Sequence, residues 1–360
     1  MVKIAGNATT GHGLSVFACE QWRANMKAVV LDSLGGPEKL TLRDIERKAP
    51  GPGEVSVKLA ASALNRRDLW ITQGKYPKIE LPCVPGSDGA GVIDELGEGV
   101  QNELLGQQVV IYPAKNWGPE QRHYGPNFRV LGMPDQGTFA EYICVAASDV
   151  YPKPAHLDWP QAAAIPLAGL TAWRAVTTQG DVQPGQRVLI TGAGSGVSTF
   201  AVLWCLNLGA EVYVSSGSDE KLAHAKVMGV TGGENYRDPA CYKKLRQQSG
   251  GFHTVIDSAG GDALNSLLDS LLPGGRLVFF GATLGNPAKG LELAKLFFRQ
   301  IRIQGTTMGS NAEFAAMIDF VTAHRILPVI DRVMALEDAV AAHQRMEGFS
   351  HTGKIVLLND

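Results

Sequence analysis

A glycine-rich stretch at residues 192–197, GAGSGV, constrains the fold more than any other feature of the chain. It follows a run typical of a buried strand at residues 188–191 and opens a predicted helix that extends to Leu208. Small residues at such a turn let the backbone approach a pyrophosphate, and the helix N-terminus favours the negative charge. A tight turn that binds no ligand is the alternative. The candidate phosphate contacts are Gly194, Ser195, Gly196 and Val197.

The rest of the chain divides into two kinds of pattern. Short strand patterns separated by Gly and Pro turns fill residues 26–150, and they predict a β-rich domain. Residues 139–143 are one of these strand candidates. From about Trp159, strands and helices alternate, which predicts a parallel sheet with right-handed crossovers. A last strand pattern at residues 354–358 either extends the parallel sheet or returns to the first domain, and the pattern does not decide between them.

Composition excludes several classes of protein. Lys plus Arg number 33 against 35 for Asp plus Glu, so no excess charge attracts nucleic acid or an anionic membrane. No apolar run reaches membrane-spanning length. The five cysteines are scattered and include no C-x-x-C pair, which argues against a disulfide framework and predicts a reducing, cytoplasmic setting. Residues 1–25 lack the apolar core of a secretory signal and are interpreted as a disordered extension or an overlong start, with a targeting peptide as the alternative.

The end of the second strand in the alternating region indicates which dinucleotide binds. An NAD site usually places an acid there to bind both ribose hydroxyls. Here Ser215 and Ser216 occupy these positions, and Lys221 follows on the next helix. Hydroxyls and a lysine suit a 2′-phosphate, whereas a carboxylate would repel it. We therefore expect NADPH, with an exposed helix residue as the alternative role for Lys221.

Six motifs follow one another along the chain: NRRD at 65–68, VPGSDGAG at 84–91, PLAGLTAW at 166–173, the glycine-rich stretch, NYR at 235–237 and TGKIV at 352–356. In this order they resemble those of the medium-chain dehydrogenase/reductase superfamily, and within it the quinone oxidoreductase-like branch that lacks zinc. The resemblance runs from Met26 to the C-terminus. It implies a GroES-like catalytic domain at 26–150, completed by about 307–360, around a Rossmann domain at 151–306, and a homodimer formed through the nucleotide-binding sheets.

The resemblance also implies that this chain binds no catalytic zinc. Zinc-dependent members place Cys, His and Cys where this chain has Asn65, Ser87 and Leu167. The lobe that carries four cysteines in some members corresponds to about 114–129, which contains none.

The glycine-rich turn departs from the family pattern. Where relatives often carry glycine, it has Ser195 and Ser198, and this difference bears on its affinity for phosphate.

Further cofactor contacts follow from the same correspondence. Tyr236 and Lys221 correspond to the pair that flanks the 2′-phosphate, and Thr171, Phe280 and Gly281 correspond to contacts near the nicotinamide. Each has a structural alternative: a half-buried aromatic for Tyr236, helix packing for Thr171 and a plain strand-end turn for Gly281.

Without a metal, no Lewis acid polarises a carbonyl. The expected substrate is therefore a small molecule that already accepts hydride, namely a quinone or a conjugated carbonyl. Asn65 is a candidate donor to the substrate carbonyl, and Asp68 lines the cleft or caps a helix.

Two other functions stay open at this point. Tyr76 lies in QGKYP, a segment similar to the one that holds the acid tyrosine of enoyl-thioester reductases, so reduction of activated alkenes with Tyr76 as proton donor is an alternative. A packing role is the structural alternative for Tyr76. The other open function is not enzymatic: the protein binds NADPH and has a structural or regulatory role.

Overall fold

Two β-sheets organise the molecule. The computed structural model describes residues 25–359, so the interpretation of residues 1–24 falls outside the described part. One sheet is parallel with six strands, the other is mixed with seven, and two short strand pairs accompany them. Within the described part, no helix has both the length and the apolarity needed to cross a bilayer.

Strands predominate in the first part of the chain, and strands alternate with helices after residue 187. In chain order they are β1 (Met26–Leu31), β2 (Leu40–Ile45), β3 (Glu54–Ala63), β4 (Asp88–Leu96), β5 (Gln108–Ile111), β6 (Ala114–Lys115), β7 (Arg129–Val130), β8 (Tyr142–Ala146), β9 (Val150–Pro152), β10 (Arg187–Ile190), β11 (Glu211–Ser216), β12 (Gly232–Asn235), β13 (Phe252–Asp257), β14 (Leu271–Phe279), β15 (Arg302–Gly305), β16 (Ile330–Ala335) and β17 (Lys354–Leu358).

The helices connect and cover these strands. In chain order they are α1 (Arg66–Thr72), α2 (Trp159–Ala164), α3 (Pro166–Trp173), α4 (Gly196–Asn207), α5 (Asp219–Met228), α6 (Cys241–Ser249), α7 (Leu264–Ser270), α8 (Leu293–Arg299), α9 (Asn311–His324) and α10 (Ala339–Glu347).

The parallel sheet is built from apolar strands. β10 lies at its centre and pairs in parallel with β11 on one side and β13 on the other. The full order is β12-β11-β10-β13-β14-β15. In this doubly wound order a ligand binds beyond the carboxyl ends of the strands, where the strand order reverses. That point is the end of β10, where the glycine-rich stretch begins, and the predicted α/β fold class is confirmed.

The tail of the chain joins the mixed sheet, which answers the question that the sequence pattern left open. β17 pairs antiparallel with β3, with Val356 opposite Ala63, and parallel with β16. The last strand is thus held beside a strand from the beginning of the chain. This pairing brings residues 65, 88 and 354 into one region.

One large apolar cluster extends across both sheets. It contains Ala63 and Val356 from the mixed sheet, and Val188 and Ile256 from the parallel sheet. Trp204 of α4 belongs to the same cluster, and its indole N–H donates to the Gly169 carbonyl at 3.1 Å. Removing a buried side chain of this size typically costs about 3–5 kcal/mol. This packing fixes the glycine-rich stretch relative to the mixed sheet.

Candidate active site

The glycine-rich stretch forms a tight turn between β10 and α4. Gly194 has a φ of +102°, and a Cβ there would lie 2.5 Å from Lys221 Cδ. Ser195 caps α4, because its Oγ accepts from the Ser198 amide at 3.2 Å. Val197 lies in the first turn of α4, half-buried against the main core. A backbone cradle at a helix N-terminus fits a dinucleotide pyrophosphate.

The end of β11 carries the residues predicted to contact the 2′-phosphate. Ser216 is buried, and its Oγ donates to the Ala193 carbonyl at 3.1 Å, so this hydroxyl belongs to the internal bonding of the turn. The ring of Tyr236 lies against Gly217, where a Cβ would come within 2.6 Å of the Tyr236 hydroxyl oxygen. Tyr236 is 50% exposed, so it borders an open surface next to the serines.

Lys221 is half-buried, whereas its structural alternative in the sequence analysis is an exposed helix residue. Its Nζ donates to the Phe349 carbonyl at 2.8 Å. Burial lowers the pKa of Lys221, and the guanidinium of Arg66 lowers it further. The Gly353 amide donates to the Gly194 carbonyl at 2.9 Å. Residues 349–353 therefore lie across the glycine-rich turn.

The three residues predicted near the nicotinamide are held by local contacts. Thr171 is buried and its Oγ1 donates to the Leu167 carbonyl at 2.8 Å, which is the packing role within α3. A Cβ on Gly281 would lie 2.9 Å from the Ser258 carbonyl oxygen, so two strand-end turns approach closely there. Phe280 precedes this glycine and packs half-buried against the main core.

A buried polar network joins the start of α1, the start of β4 and the start of β17. Asp88 accepts from the Asn65 amide nitrogen at 2.8 Å, from the Leu167 backbone amide at 2.7 Å and from Lys354 Nζ at 2.8 Å. Lys354 Nζ also donates to Asn65 Oδ1 at 2.8 Å. Asn65, Asp88 and Lys354 are 6%, 0% and 2% exposed. Of these residues, Asn65 is predicted from the sequence and Lys354 is not, although a charged residue in an otherwise apolar strand is a signal.

Asp68 caps the helix that follows Asn65. Its Oδ2 accepts from the Asn65 amide at 2.7 Å, and together the two residues form a capping box at the start of α1. Burial raises the pKa of Asp68 to about 6, against the opposing effect of the Arg67 guanidinium. These contacts are those of a helix cap, which is the structural alternative for Asp68.

Tyr76 contacts Arg67 and an apolar cluster. Its ring lies 5.0 Å from the guanidinium carbon of Arg67 and packs against the apolar cluster around α10. Arg67 itself is buried and donates to Ser87 Oγ at 2.7 Å and to the carbonyls of Leu131 and Met133, both at 2.8 Å. Arg67, which is not among the predicted site residues, thus links Tyr76 to Ser87.

The three positions that correspond to zinc ligands in related enzymes do not fit that metal. Zinc sites need three or four N, S or O ligands in tetrahedral array. Asn65 and Ser87 present an amide and a hydroxyl that already have partners, and Leu167 presents a hydrocarbon. Among residues 25–359, no three His, Cys, Asp or Glu side chains are grouped so that they could hold a metal ion.

The lobe that carries cysteines in some relatives is fastened by an arginine. Arg174 is 2% exposed and its guanidinium donates to the carbonyls of Gln121 and Arg122 at 3.0 and 2.6 Å. It also forms an ion pair with Glu313 at 2.6 Å and lies 4.9 Å from the ring centre of Trp117. One buried cation therefore ties residues 117–122 to α9.

Comparison with known proteins agrees with this arrangement. Residues 51–155 match the family model for the alcohol dehydrogenase GroES-like domain, and residues 196–323 match the model for zinc-binding dehydrogenases. The predicted GroES-like domain is thereby confirmed.

Individual relatives span nearly the whole chain. A zinc-type alcohol dehydrogenase-like protein, YogA of Leptosphaeria maculans, is 38% identical over 88% of this chain and 92% of its own length. A quinone oxidoreductase of Pseudomonas aeruginosa is 30% identical over 92% of this chain and 99% of its own. A solved NAD-dependent alcohol dehydrogenase is 37% identical with a TM-score of 0.88, and covers 93% of this chain and 100% of its own. The chain is an oxidoreductase that belongs to the medium-chain dehydrogenase/reductase superfamily.

Proposed function

We propose that the protein is an NADPH-dependent reductase that delivers hydride to a quinone or a similar electron-poor carbonyl compound, without a catalytic zinc. The observation that carries this proposal is the side-chain chemistry at the three positions that bind zinc in related enzymes. Asn65 is bonded to Asp88 and Lys354, Ser87 accepts from Arg67, and Leu167 is a hydrocarbon. With no metal donor set, the enzyme needs an acceptor that is already electrophilic. The relationship to a quinone oxidoreductase at 30% identity supports the same class of acceptor.

The residues around the glycine-rich turn fit a dinucleotide. Gly194 and Gly196 leave room where a Cβ would meet Lys221 and Lys354. When bound, the nicotinamide supplies the hydride, and the chain's part is to bind, orient and exclude water. The turn and the start of α4 would hold the pyrophosphate, and Tyr236 would border the 2′-phosphate.

The preference for NADPH is a proposal of its own, since a solved relative is described as NAD-dependent. It rests on Ser215 and Ser216 standing at the end of β11 in place of an acid, and on Lys221. The Lys221 ammonium donates to the Phe349 carbonyl, and on cofactor binding it would donate to the 2′-phosphate instead. A charge-assisted contact contributes roughly 1.5–3 kcal/mol, so we expect kcat/KM for NADPH to exceed that for NADH by about 10- to 150-fold.

The cofactor test uses two lysines of the same helix. Lys221→Met should remove most of the preference for NADPH, whereas Lys226→Met, an exposed position five residues further along α5, should leave it unchanged. Steady-state kinetics with both dinucleotides measures the ratio. A wild-type protein that uses NADH better would contradict the proposal.

The acceptor test is a screen of dinucleotide oxidation with quinones, enones, enoyl thioesters and simple aldehydes, with and without a chelator. We expect quinones to be reduced fastest, simple aldehydes to be poor substrates, and the chelator to have no effect. If Tyr76→Phe abolishes alkene reduction alone, the alkene alternative gains its proton donor. Tight NADPH binding without turnover on any acceptor would instead favour a structural or regulatory role.

We also propose that the protein is a homodimer that associates through the parallel sheet. β15 has one sheet neighbour among the described strands, β14, so its outer edge is available for pairing. Beside it, α8 exposes Leu293, Phe297 and Phe298 at 67%, 64% and 78%. Large exposed apolar side chains next to a sheet edge are typical of a protein interface.

A further inference from the structure

Lys354 is the only residue of the Asn65–Asp88–Lys354 network that carries a positive charge. Its ammonium is bound by two oxygens, Asn65 Oδ1 and Asp88 Oδ2, each at 2.8 Å. An ammonium has three N–H donors, so two named partners leave one for a further acceptor. The side chain is 2% exposed, so that donor acts where water screens it weakly.

The partners of Lys354 hold it rigidly. Asp88 receives three hydrogen bonds, from Asn65, from the Leu167 amide and from Lys354 itself. A side chain whose partners are themselves bonded is preorganised, and a preorganised donor stabilises a developing charge more than a mobile one. The Lys354 ammonium is therefore a buried charge held in one position, unlike a solvated lysine at the surface.

Lys354 also reaches the cofactor side of the molecule. A Cβ on Gly196, the first residue of α4, would lie 3.0 Å from Lys354 Cδ. The residue before Lys354 donates its amide to the Gly194 carbonyl at 2.9 Å. The lysine stem thus contacts the turn proposed for the dinucleotide, while its ammonium bonds to Asn65.

We propose that Lys354 is a catalytic residue that donates a hydrogen bond to the carbonyl oxygen of the acceptor, in the place that a metal cation holds in zinc-dependent relatives. This inference rests on the proposed function and narrows the acceptor to compounds whose oxygen gains negative charge. A hydride from NADPH would bring one proton and two electrons to a conjugated carbonyl compound, and so leave a negative charge on its oxygen. Lys354 keeps its protons and stabilises that oxyanion, which then takes a proton from water.

Binding of an aromatic oxyanion tests the inference without turnover. The probe is 4-nitrophenolate, titrated by absorbance and calorimetry into the protein saturated with NADP⁺. Lys354→Met should raise its Kd at least 10-fold and leave the Kd of NADP⁺ within twofold. Lys354→Arg, which keeps a charged donor, should recover part of the affinity. In kinetics, Lys354→Met should lower kcat by about 100- to 1,000-fold, the usual effect of losing one oxyanion donor.

Two further variants separate catalysis from folding. Because Lys354→Met leaves Asp88 buried without its cation, the double variant Lys354→Met with Asp88→Asn removes both charges and keeps the fold available for the same titration. Arg174→Met also removes a buried cation that pairs with a carboxylate, but outside the network. It should lower stability and leave 4-nitrophenolate binding unchanged.

The outcomes distinguish this inference from the function on which it rests. A folded Lys354→Met protein that binds the probe as tightly as wild type overturns the inference alone. An equal rise in the Kd of NADP⁺ also overturns it, because the ammonium would then serve the cofactor. A wild-type protein that oxidises neither dinucleotide with any acceptor defeats the proposed function itself.

Discussion

Asp68 is a fully buried acid that takes part in the capping box of α1. Its side chain accepts from the Asn65 amide, and burial raises its pKa from 3.8 to about 6. The fold therefore favours the protonated form. Stability from this group is greatest at low pH and is lost as pH rises through about 6, by up to about 3 kcal/mol at roughly 1.4 kcal/mol per pKa unit.

Asp68→Asn should remove this pH dependence while its side-chain oxygen still caps α1. We expect the free energy of unfolding of the variant, relative to wild type, to increase steadily between pH 4 and pH 7. Urea unfolding at four pH values measures the difference. Burial also lowers the pKa of His343 to about 4. Its effect on the free energy of unfolding is the same in the variant and the wild type, so it cancels in the difference. A difference that stays constant with pH would contradict the assignment.

Single residues also show which features of the site can be predicted from the sequence and which cannot. Gly194 and Ser195 could be predicted because the turn is encoded by neighbours in the chain. Lys354 could not, because its partners Asn65 and Asp88 lie far from it in sequence and only the pairing of β17 with β3 brings them together. A charge in an apolar strand is a signal, but it does not name its partner.

Among elements, the lobe at residues 114–129 depends on Arg174 for its attachment. Arg174→Met would leave Glu313 without its cation and two carbonyls without donors. Breaking a buried pair from one side typically costs about 3–5 kcal/mol. We expect that loss in unfolding experiments, and faster cleavage by trypsin after Arg122.

The matched control is Arg43→Met, since the Arg43–Asp32 pair is almost half exposed on both sides. Such surface pairs contribute about 0–1 kcal/mol. Equal losses in the two variants would show that Arg174 has no special structural role.

Element boundaries were less predictable than element types. β10 was anticipated almost to the residue, because a buried parallel strand is a continuous apolar run. The strand predicted at residues 139–143 instead begins at Tyr142. Thr138 and Phe139 bond to the backbone of Gly86 and Pro85, so tertiary contacts hold the preceding residues in a loop.

At the scale of the whole molecule, the exposed apolar face of α8 predicts association. The chain has a mass of 38.4 kDa, and we expect the wild type to sediment at twice that mass. Phe298→Glu places a charge in the proposed interface and should yield a monomer. Val227→Glu, at a position that is 87% exposed on α5, is the control and should stay dimeric. A monomeric wild type would refute the interface.

The pairing of β17 with β3 has a consequence for biosynthesis. On the ribosome the glycine-rich turn emerges long before Lys354, and the network around Asn65 and Asp88 lacks its ammonium until then. A nascent chain can therefore form most of its parallel sheet before Lys354 joins Asn65 and Asp88. A message cut short before the codon for residue 354 would encode all six strands of the parallel sheet and leave the buried Asp88 without its ammonium partner.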